Sequence, residues 1–331
     1  MTIQLDHPDG ARLDPDVPRP IIVERDRADR RYRLLAKGSG VTAMALMGLI
    51  GTFLLVKAVP ALQSQGLGFL TNFEWNTDAE TPQFGVAAIL YWTVMIAGVA
   101  ICVAAPIAVA TALFINEYAP VRVRKVLTTL VDLLAAIPSL IYGLWGRDTF
   151  QSEAIGFSRF LDERAGFIPW FNTSTQQYDG STLIAGLVVS LMVLPVAASV
   201  MREVFSQTPP GEKEAALALG ATRWGMIRTV VLPFGRGGIV GGTMLGLGRA
   251  LGETIAVALI ISPIFFVRLS VTERGSNSVA ALIANRFGEA SELGVSALLA
   301  AGLVLFIVTL VVNLIASGIV ARSRSGAGVD A

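Results

Sequence analysis

The sequence predicts an all-α integral membrane protein with six transmembrane helices. Hydrophobic residues make up 53% of the 331 residues and charged residues only 15%, a balance that a soluble domain of this length does not keep in water. The charged residues fall in blocks and leave six apolar windows of about 19 residues or more, the length of a helix that crosses roughly 30 Å of hydrocarbon. None of these windows alternates apolar and polar residues as the strands of a membrane barrel do.

The six windows follow one another along the chain, and each is predicted to form one transmembrane helix. The second, fourth and sixth contain no charged residue. Prolines fall inside or near the ends of the second to fifth windows, where neighbouring helices, hydroxyl side chains or water can satisfy the freed backbone groups. The windows lie at residues 38–56, 85–114, 126–146, 181–201, 237–267 and 295–320.

Four regions are expected along the chain. The first 37 residues are rich in Pro, Asp and Arg and carry few large apolar side chains, which predicts a disordered, basic tail. The run from Glu24 to Arg33 is strongly charged, and a helix along the anionic inner leaflet is the alternative to a solvated run there. The other three regions are a first transmembrane helix with its outer loop, a core membrane domain and a second short tail, at 38–84, 85–320 and 321–331.

Lysine and arginine are distributed unevenly between the two sides that the windows define. With the N-terminus inside, the inner segments carry 18 of these residues and the outer loops six, while Lys57 and Arg249 lie at the end of a window or inside one. Because positive residues are enriched on the cytoplasmic side, both termini are predicted to be cytoplasmic. The segment 208–236, between the fourth and fifth windows, is then cytoplasmic as well.

Several classes of chemistry are excluded by composition. The chain has one cysteine, Cys102 in the second window, and one histidine, His7 in the first tail. These exclude catalytic thiol or histidine dyads and His/Cys metal clusters. No stretch matches the phosphate-binding pattern G-x-x-x-x-G-K-[ST], so the chain is predicted not to hydrolyse ATP itself. We therefore expect no enzyme, cofactor, metal or nucleic-acid partner, and a partner protein or an ion gradient must supply the energy for any transport.

The fifth window contains charges and regularly spaced glycines. At about 100° per residue, Gly238, Gly242, Gly246, Arg249 and Glu253 all fall within about 80° of one another on a helix. Glycine at every fourth position allows another helix backbone to come close. The stripe is therefore predicted to face protein or an aqueous pathway, where the cost of the two charges is reduced.

Two interpretations of Arg249 and Glu253 remain open at this point. Being four residues apart on a helix, they could form an intrahelical ion pair that neutralises itself and stabilises the bundle. Alternatively, Arg249 offers a planar set of donors to a translocating oxyanion while Glu253 holds the guanidinium in place. Asp132 is a third candidate for the pathway, although its position near the cytoplasmic end of the third window suits an interfacial or structural role equally well.

The segment from Glu212 to Pro233 has a distinctive order of features: a helix-forming start, a glycine break, and a second helical stretch that ends in Leu-Pro. It resembles the cytoplasmic coupling loop of ABC importer permeases, which forms a helix, a turn and a second helix that sit in a groove of a separate ATPase subunit. The alternative is an amphipathic helix on the inner leaflet, with Trp224 at the interface. The resemblance is carried by Glu214, Ala215, Ala216, Gly220, Leu232 and Pro233.

A narrower resemblance is carried by four stretches of sequence. They read NEYAP at 116–120, AAIPSLIYGLWG at 135–146, ALGATRWGMIRTVVLP at 218–233 and LGLGRALGETIAV at 245–257. These are similar to the phosphate-specific branch of the ABC importer permeases, the PstC-type permeases, over roughly residues 85–320. The outer loop at 147–180 is longer than the family pattern leads us to expect.

The resemblance implies a type I, MetI-like permease core in a bacterial plasma membrane. It also implies inorganic phosphate as cargo, a PstA-like second permease, a PstB-like ATPase dimer and a PstS-like phosphate-binding protein, with Arg249 and Glu253 as the transport pair. Transport of another oxyanion such as sulfate is the alternative within this class. Outside it, a gradient-driven secondary transporter could also use buried Arg, Glu and Asp, whereas a structural scaffold has no need of buried charges.

Overall fold

The computed structural model describes residues 27–323, and it confirms the all-α class. Four helices are long and apolar enough to cross a membrane, and two bent pairs of helices meet the same test. The described residues therefore provide six candidate spans when each bent pair counts as one, as the six windows predict. The four unbroken spans are Arg30–Gln65, Ala87–Tyr118, Thr182–Ser206 and Glu292–Val320.

The chain divides into two compact units, one that ends at Ile50 and one that begins at Gly51. Helix α1 (Arg27–Gln65) contributes its first part to the first unit and the rest to the second. Residues 1–26 of the predicted first tail and 324–331 of the second lie outside the described residues. Residues 27–37 of the predicted tail are helical, as in the alternative of a helix for the run at 24–33. Arg, Leu, Ala and Lys, which dominate this stretch, are good helix formers.

The second unit contains a small hairpin and thirteen further helices among its described residues. Short α2 (Gly68–Thr71) precedes the antiparallel strands β1 (Trp75–Asn76) and β2 (Gln83–Phe84). The other helices are, in order, α3 (Ala87–Leu113), α4 (Val121–Ala136), α5 (Ser139–Trp145), α6 (Gln151–Ala165), α7 (Thr182–Ser206), α8 (Pro210–Ala218), α9 (Arg223–Met226), α10 (Leu232–Phe234), α11 (Arg236–Leu251), α12 (Ile255–Ile260), α13 (Val279–Arg286) and α14 (Glu292–Ser323). Single π-helical turns follow α3, α5 and α9, at Phe114–Tyr118, Gly146–Phe150 and Ile227–Val231.

The centre of the second unit is formed by α3, α7 and α11, which pack closely because small residues line their contacts. On α3, alanines at every fourth position, from Ala100 to Ala112, are fully buried. On α7, a Cβ atom added to Gly186 would lie 2.5 Å from Val99 of α3. In a bilayer, helices associate through such close van der Waals packing, because lipid tails are as apolar as the side chains themselves.

The third predicted window is a bent pair of helices and not one straight span. Helix α4 ends at Ala136, and the next helical segment, from Ser139 to Ala165, leaves it at 86°. The bend falls at Ile137, whose extended backbone is the conformation that a following proline, Pro138, favours. As a result, helix α6 occupies the first half of the stretch 147–180 that the sequence predicts as an outer loop.

The fifth predicted window is also interrupted. Helix α11 ends at Leu251, and α12 begins only at Ile255. Gly252 begins the break, and glycine weakens a helix by roughly 0.5–1 kcal/mol relative to alanine. Beyond Ile260 the window is not helical. The predicted single helix over 237–267 is therefore wrong.

The three glycines of the fifth window pack against α7. A Cβ atom added at Gly238, Gly242 or Gly246 would lie 2.5 Å from Val204, 2.9 Å from the Ala197 carbonyl oxygen or 2.6 Å from Val193, respectively. These positions are the ones at which α11 approaches α7 most closely. Any side chain there forces the two helices apart.

Replacing Gly242 by alanine is expected to destabilise the protein by about 1–3 kcal/mol, the usual cost of overpacking. The added methyl group meets a backbone oxygen, which cannot move aside as a flexible side chain can. Gly241 is the matched control, since a Cβ atom there has no neighbour within 4 Å. Thermal unfolding of the detergent-purified variants should show a lower midpoint for Gly242→Ala and an unchanged or higher midpoint for Gly241→Ala, since alanine favours the helix. A midpoint of Gly242→Ala equal to that of Gly241→Ala would contradict this packing.

Candidate functional site

An open cavity of about 430 Å³ lies where α11 is interrupted. The end of α11, the break and the start of α12 form most of its wall, and the first residue of α5 completes it. The wall thus combines a guanidinium, a carboxylate and hydroxyl groups with the backbone of two glycines. The lining residues are Ser139, Gly248, Arg249, Gly252, Glu253, Thr254 and Ile255.

Arg249 and Glu253 both line this cavity, but they do not form the predicted pair. Helix α11 ends at Leu251, so the spacing of four residues no longer places the two side chains one turn apart. Glu253 is buried, and its Oε1 accepts a hydrogen bond from the backbone N–H of Ala256 at 3.3 Å. The carboxylate therefore caps the start of α12, where the helix dipole favours a negative charge.

The Arg249 side chain is exposed on the cavity wall. Within residues 27–323, the ion pairs do not include Arg249, and neither do the side-chain hydrogen bonds. Glu253 therefore neither neutralises this guanidinium nor holds it in place. What the geometry provides is a fork of N–H donors directed at open space, and such a fork matches the oxygens of an oxyanion.

The residues of the predicted stripe on α11 have two different surroundings. Gly238, Gly242 and Gly246 are buried against α7, whereas Arg249 lies in the cavity. The glycines bring α11 close to α7, and this contact fixes the position of the helix end that carries Arg249.

Asp132, the third candidate, lies on α4 and does not line this cavity. Its Oδ1 is 3.4 Å from Nη2 of Arg202 on α7, and its side chain is half exposed. An exposed pair of this kind contributes little to stability. The arrangement joins α4 to α7 and favours the structural alternative for Asp132.

The segment 208–236 forms a helix, a turn and a second helical stretch. Gly220 ends α8 with φ of +85°, a left-handed conformation that suits glycine. The N–H of Ala221 donates to the Ala216 carbonyl and the N–H of Gly220 to the Leu217 carbonyl, which is the Schellman pattern of a helix end. Thr222 then starts α9, because its side chain accepts a hydrogen bond from the Gly225 N–H at 3.0 Å.

Much of this segment is exposed, and α8 has no buried residue. Among the residues singled out from the sequence, Glu214, Ala215, Gly220 and Pro233 are exposed, and Ala216 and Leu232 are partly buried. Large apolar side chains are exposed beside them: Leu217, Leu219 and Trp224 are 47%, 90% and 57% exposed. Exposed apolar side chains grouped on short helices are typical of a surface that another molecule covers.

Sequence reasoning missed how this segment is attached to the membrane domain. Nζ of Lys213 on α8 lies 2.6 Å from Oε1 of Glu117, and the Arg223 guanidinium on α9 lies 5.4 Å from the centre of the Tyr118 ring. Glu117 and Tyr118 belong to the NEYAP stretch, which was noted only as part of a resemblance. Nothing local in the sequence indicates that these pairs meet.

A second missed feature is a cluster formed by two loops, 166–180 and 261–278, which we call the loop cluster. Glu273 is buried at its centre, 3.1 Å from an Arg268 nitrogen, and accepts hydrogen bonds from the hydroxyls of Ser174 and Thr175 at 2.9 Å each. Backbone bonds also join the loops, as from the Val271 N–H to the Trp170 carbonyl. These contacts fold the end of the predicted outer loop onto the chain that follows α12.

Tyr178 ties the loop cluster to α6. Its hydroxyl donates to Oδ2 of Asp162 at 2.8 Å. Burial, together with this hydrogen bond, raises the pKa of the Tyr178 phenol above its ordinary value of 10.0. The phenol therefore stays protonated and remains a donor at neutral pH.

The fold and the site together define a membrane-spanning transport subunit: a bundle of spans with a charged cavity at a helix break and an exposed helix–turn–helix. Residues 104–325 match the family described as binding-protein-dependent transport system inner membrane component. The chain belongs to this family.

Individual relatives are similar over nearly the whole chain. The phosphate transport system permease protein PstC 2 of Mycobacterium tuberculosis is 40% identical over 304 residues, which cover 91% of this chain and 94% of that protein. The phosphate transport system permease protein PstC of Xylella fastidiosa is 41% identical, covering 88% of this chain and 90% of that protein.

Among solved structures, the fold is similar to a chain from the crystal structure of a bacterial ABC transporter involved in the import of the acidic polysaccharide alginate. The TM-score is 0.52 and the identity 21%, over 88% of this chain and 99% of that chain. At this identity the likeness concerns the fold alone.

Proposed function

We propose that this chain is a permease subunit of an ATP-driven phosphate importer and that it forms half of the translocation pathway. The observation that carries the proposal is the Arg249 guanidinium, which lines an open cavity and has no acidic partner among the described residues. A cation without an acidic partner within a membrane span is costly, so a bound anion is the simplest compensation. The names of the relatives at about 40% identity support phosphate as that anion.

The cavity suits a cargo that must be released again. Arg249 supplies charge-assisted donors, and the Ser139 hydroxyl can donate to a further phosphate oxygen. The Thr254 hydroxyl already donates to the Gly252 carbonyl at 3.1 Å. Glu253 lies on the same wall, and its negative charge weakens the binding of an anion. We assign Asp132 no part in the pathway.

We infer that the exposed helix–turn–helix at 208–236 docks on an ATPase dimer of the PstB type. Leu217, Leu219 and Trp224 provide apolar contacts for a groove on that partner, and Glu214 and Ala215 lie exposed on the same helix as Leu217. A PstA-like permease completes the pathway, and a PstS-like binding protein delivers phosphate at the outer face. Both termini are cytoplasmic in this arrangement, in agreement with the excess of Lys and Arg on that side.

Transport then follows from a two-state equilibrium. ATP binding and hydrolysis shift the complex between outward-open and inward-open forms only if the ATPase contacts the segment 208–236 differently in the two. Phosphate crosses between the two permeases past Arg249.

Uptake into reconstituted vesicles that contain all partner subunits tests this function. Labelled phosphate should accumulate only with ATP on the ATPase side, should persist when ionophores remove ion gradients, and should exceed sulfate uptake. Copurification should bring an ATPase and a second membrane subunit. Uptake that follows a gradient without ATP would instead indicate a secondary transporter, and a preference for sulfate would indicate the other oxyanion.

A further inference from the structure

The end of α3 is extended by one π-helical turn, Phe114–Tyr118, before the chain turns at Ala119 and Pro120. Such turns are rare in proteins and occur frequently at functional sites. Ile115 anchors the turn, because it is buried in the same apolar cluster as Met226 and Ile227. The next three residues, Asn116, Glu117 and Tyr118, make polar contacts with four other elements, and we call them the α3 terminal turn.

Two of these contacts reach the exposed segment 208–236 on both sides of its glycine turn. Lys213 of α8 forms the 2.6 Å ion pair with Glu117, whose side chain is only 7% exposed. Arg223 of α9 lies over the ring of Tyr118. Adjacent residues of the α3 terminal turn therefore hold the helix before Gly220 and the helix after it.

The other two contacts hold the α3 terminal turn in the membrane domain. The Asn116 carbonyl accepts a hydrogen bond from Nη2 of Arg124 on α4 at 2.6 Å. The Asn116 side-chain amide donates to the Arg202 carbonyl on α7 at 2.7 Å. The turn is thus fixed to the bundle on one side and to the segment 208–236 on the other.

The Lys213–Glu117 pair is the main polar attachment of α8. This helix has no buried residue, and in the described part of the chain it takes part in no other ion pair. Its partly buried Ala216 packs against the apolar cluster that contains Met226. A force applied to α8 therefore reaches the bundle through few contacts, and the ion pair is one of them.

Helix α3 itself connects the α3 terminal turn to the candidate site. Ile101 of α3 lies 3.4 Å from the position of a Cβ atom on Gly246, about one turn before Arg249 on α11. A helix displaced at one end moves its packed neighbours, because close-packed interiors transmit strain.

We propose that the α3 terminal turn is the positioning element through which a displacement of α8 reaches α3, and that the Lys213–Glu117 pair transmits it. This rests on the proposed function, since the displacement comes from the ATPase. Lys213 and Glu117 are positioning residues and touch neither phosphate nor ATP. Their loss should leave ATP hydrolysis running while it no longer drives transport.

The test measures ATP hydrolysis and phosphate uptake in the same vesicles, with the full complex carrying Lys213→Gln, Glu117→Gln or the exchanged pair Lys213→Glu with Glu117→Lys. The single variants should lower the phosphate taken up per ATP by about five- to 150-fold, the range of typical coupling between sites. The exchanged pair should recover part of this loss. Arg122→Gln, on an exposed residue of α4 outside the segment 208–236, is the matched control and should keep the wild-type ratio.

The inference is overturned if the single variants keep the wild-type ratio, or if the exchanged pair recovers none of the loss. If a single variant no longer copurifies with the ATPase, the exchanged pair still tests the inference. A role in transmission requires that the exchanged pair restores both the copurification of the ATPase and part of the ratio of phosphate taken up to ATP hydrolysed. Absence of ATP-driven uptake by the wild-type complex would overturn the proposed function itself, so the two failures are distinguishable.

Discussion

Replacing Arg249 by glutamine is expected to abolish phosphate uptake while the complex still assembles. Glutamine keeps a polar side chain but loses the positive charge and the planar fork of donors. Each hydrogen bond to a charged group contributes about 1.5–3 kcal/mol, so the loss of one or two lowers the occupancy of the site by roughly 10-fold to more than 100-fold. Assembly should survive, because no described residue relies on Arg249 as an ion-pair partner.

Uptake of labelled phosphate by reconstituted vesicles measures this effect, and copurification of the ATPase measures assembly. Arg122→Gln is the matched control, because Arg122 is also exposed but lies on α4 and does not line the cavity. Arg249→Lys should retain part of the activity, since it keeps the charge and loses the fork. Unchanged uptake by Arg249→Gln would remove this residue from the pathway.

Replacing Gly220 by valine is expected to uncouple ATP hydrolysis from transport. A Cβ atom at this position has no neighbour within 4 Å, so the effect is not a clash. It comes from the backbone: φ of +85° is left-handed, which costs a residue with a side chain roughly 1–2 kcal/mol and a β-branched one more. The turn between α8 and α9 should relax to another conformation and change the surface offered to the ATPase.

The ratio of phosphate transported to ATP hydrolysed measures this uncoupling. Gly220→Asn is the control, because asparagine tolerates the left-handed conformation better than other residues with side chains. The ratio of phosphate transported to ATP hydrolysed should fall strongly in the valine variant and only slightly in the asparagine variant. Normal coupling in the valine variant would count against docking through this segment.

Features set by composition and local sequence could be predicted, and the fold class is the clearest case. Apolar windows, prolines and glycine spacing reflect costs that a bilayer imposes on any chain, so they indicate spans without knowledge of neighbours. The Schellman turn at Gly220 is local in the same way. The helix breaks at Pro138 and Gly252 are harder to predict, because proline and glycine are tolerated inside membrane helices whenever neighbouring groups satisfy the backbone hydrogen bonds.

The pairing of the charges could not be predicted, because it depends on residues far apart in sequence. Lys213 meets Glu117 across 96 positions, and Asp132 meets Arg202 across 70. Glu253 lies four positions from Arg249, yet the end of α11 between them directs its carboxylate to the Ala256 N–H. The local spacing predicts an ion pair between these two residues, and this pair does not form because the helix ends between them.

The loop cluster has a mechanical consequence for the helices that meet at it. Its second loop is bonded to the first turn of α7, where the Leu183 N–H donates to the Val271 carbonyl and the Thr182 hydroxyl to the Ser276 hydroxyl. In its first loop, the Gly180 carbonyl accepts a hydrogen bond from the N–H of Ser262, which lies just after α12. These bonds join the beginning of α7 and the end of α12 to one block, so we expect the two helix ends to move together and not separately. Amide hydrogens inside that block should be among the last in the molecule to exchange with heavy water.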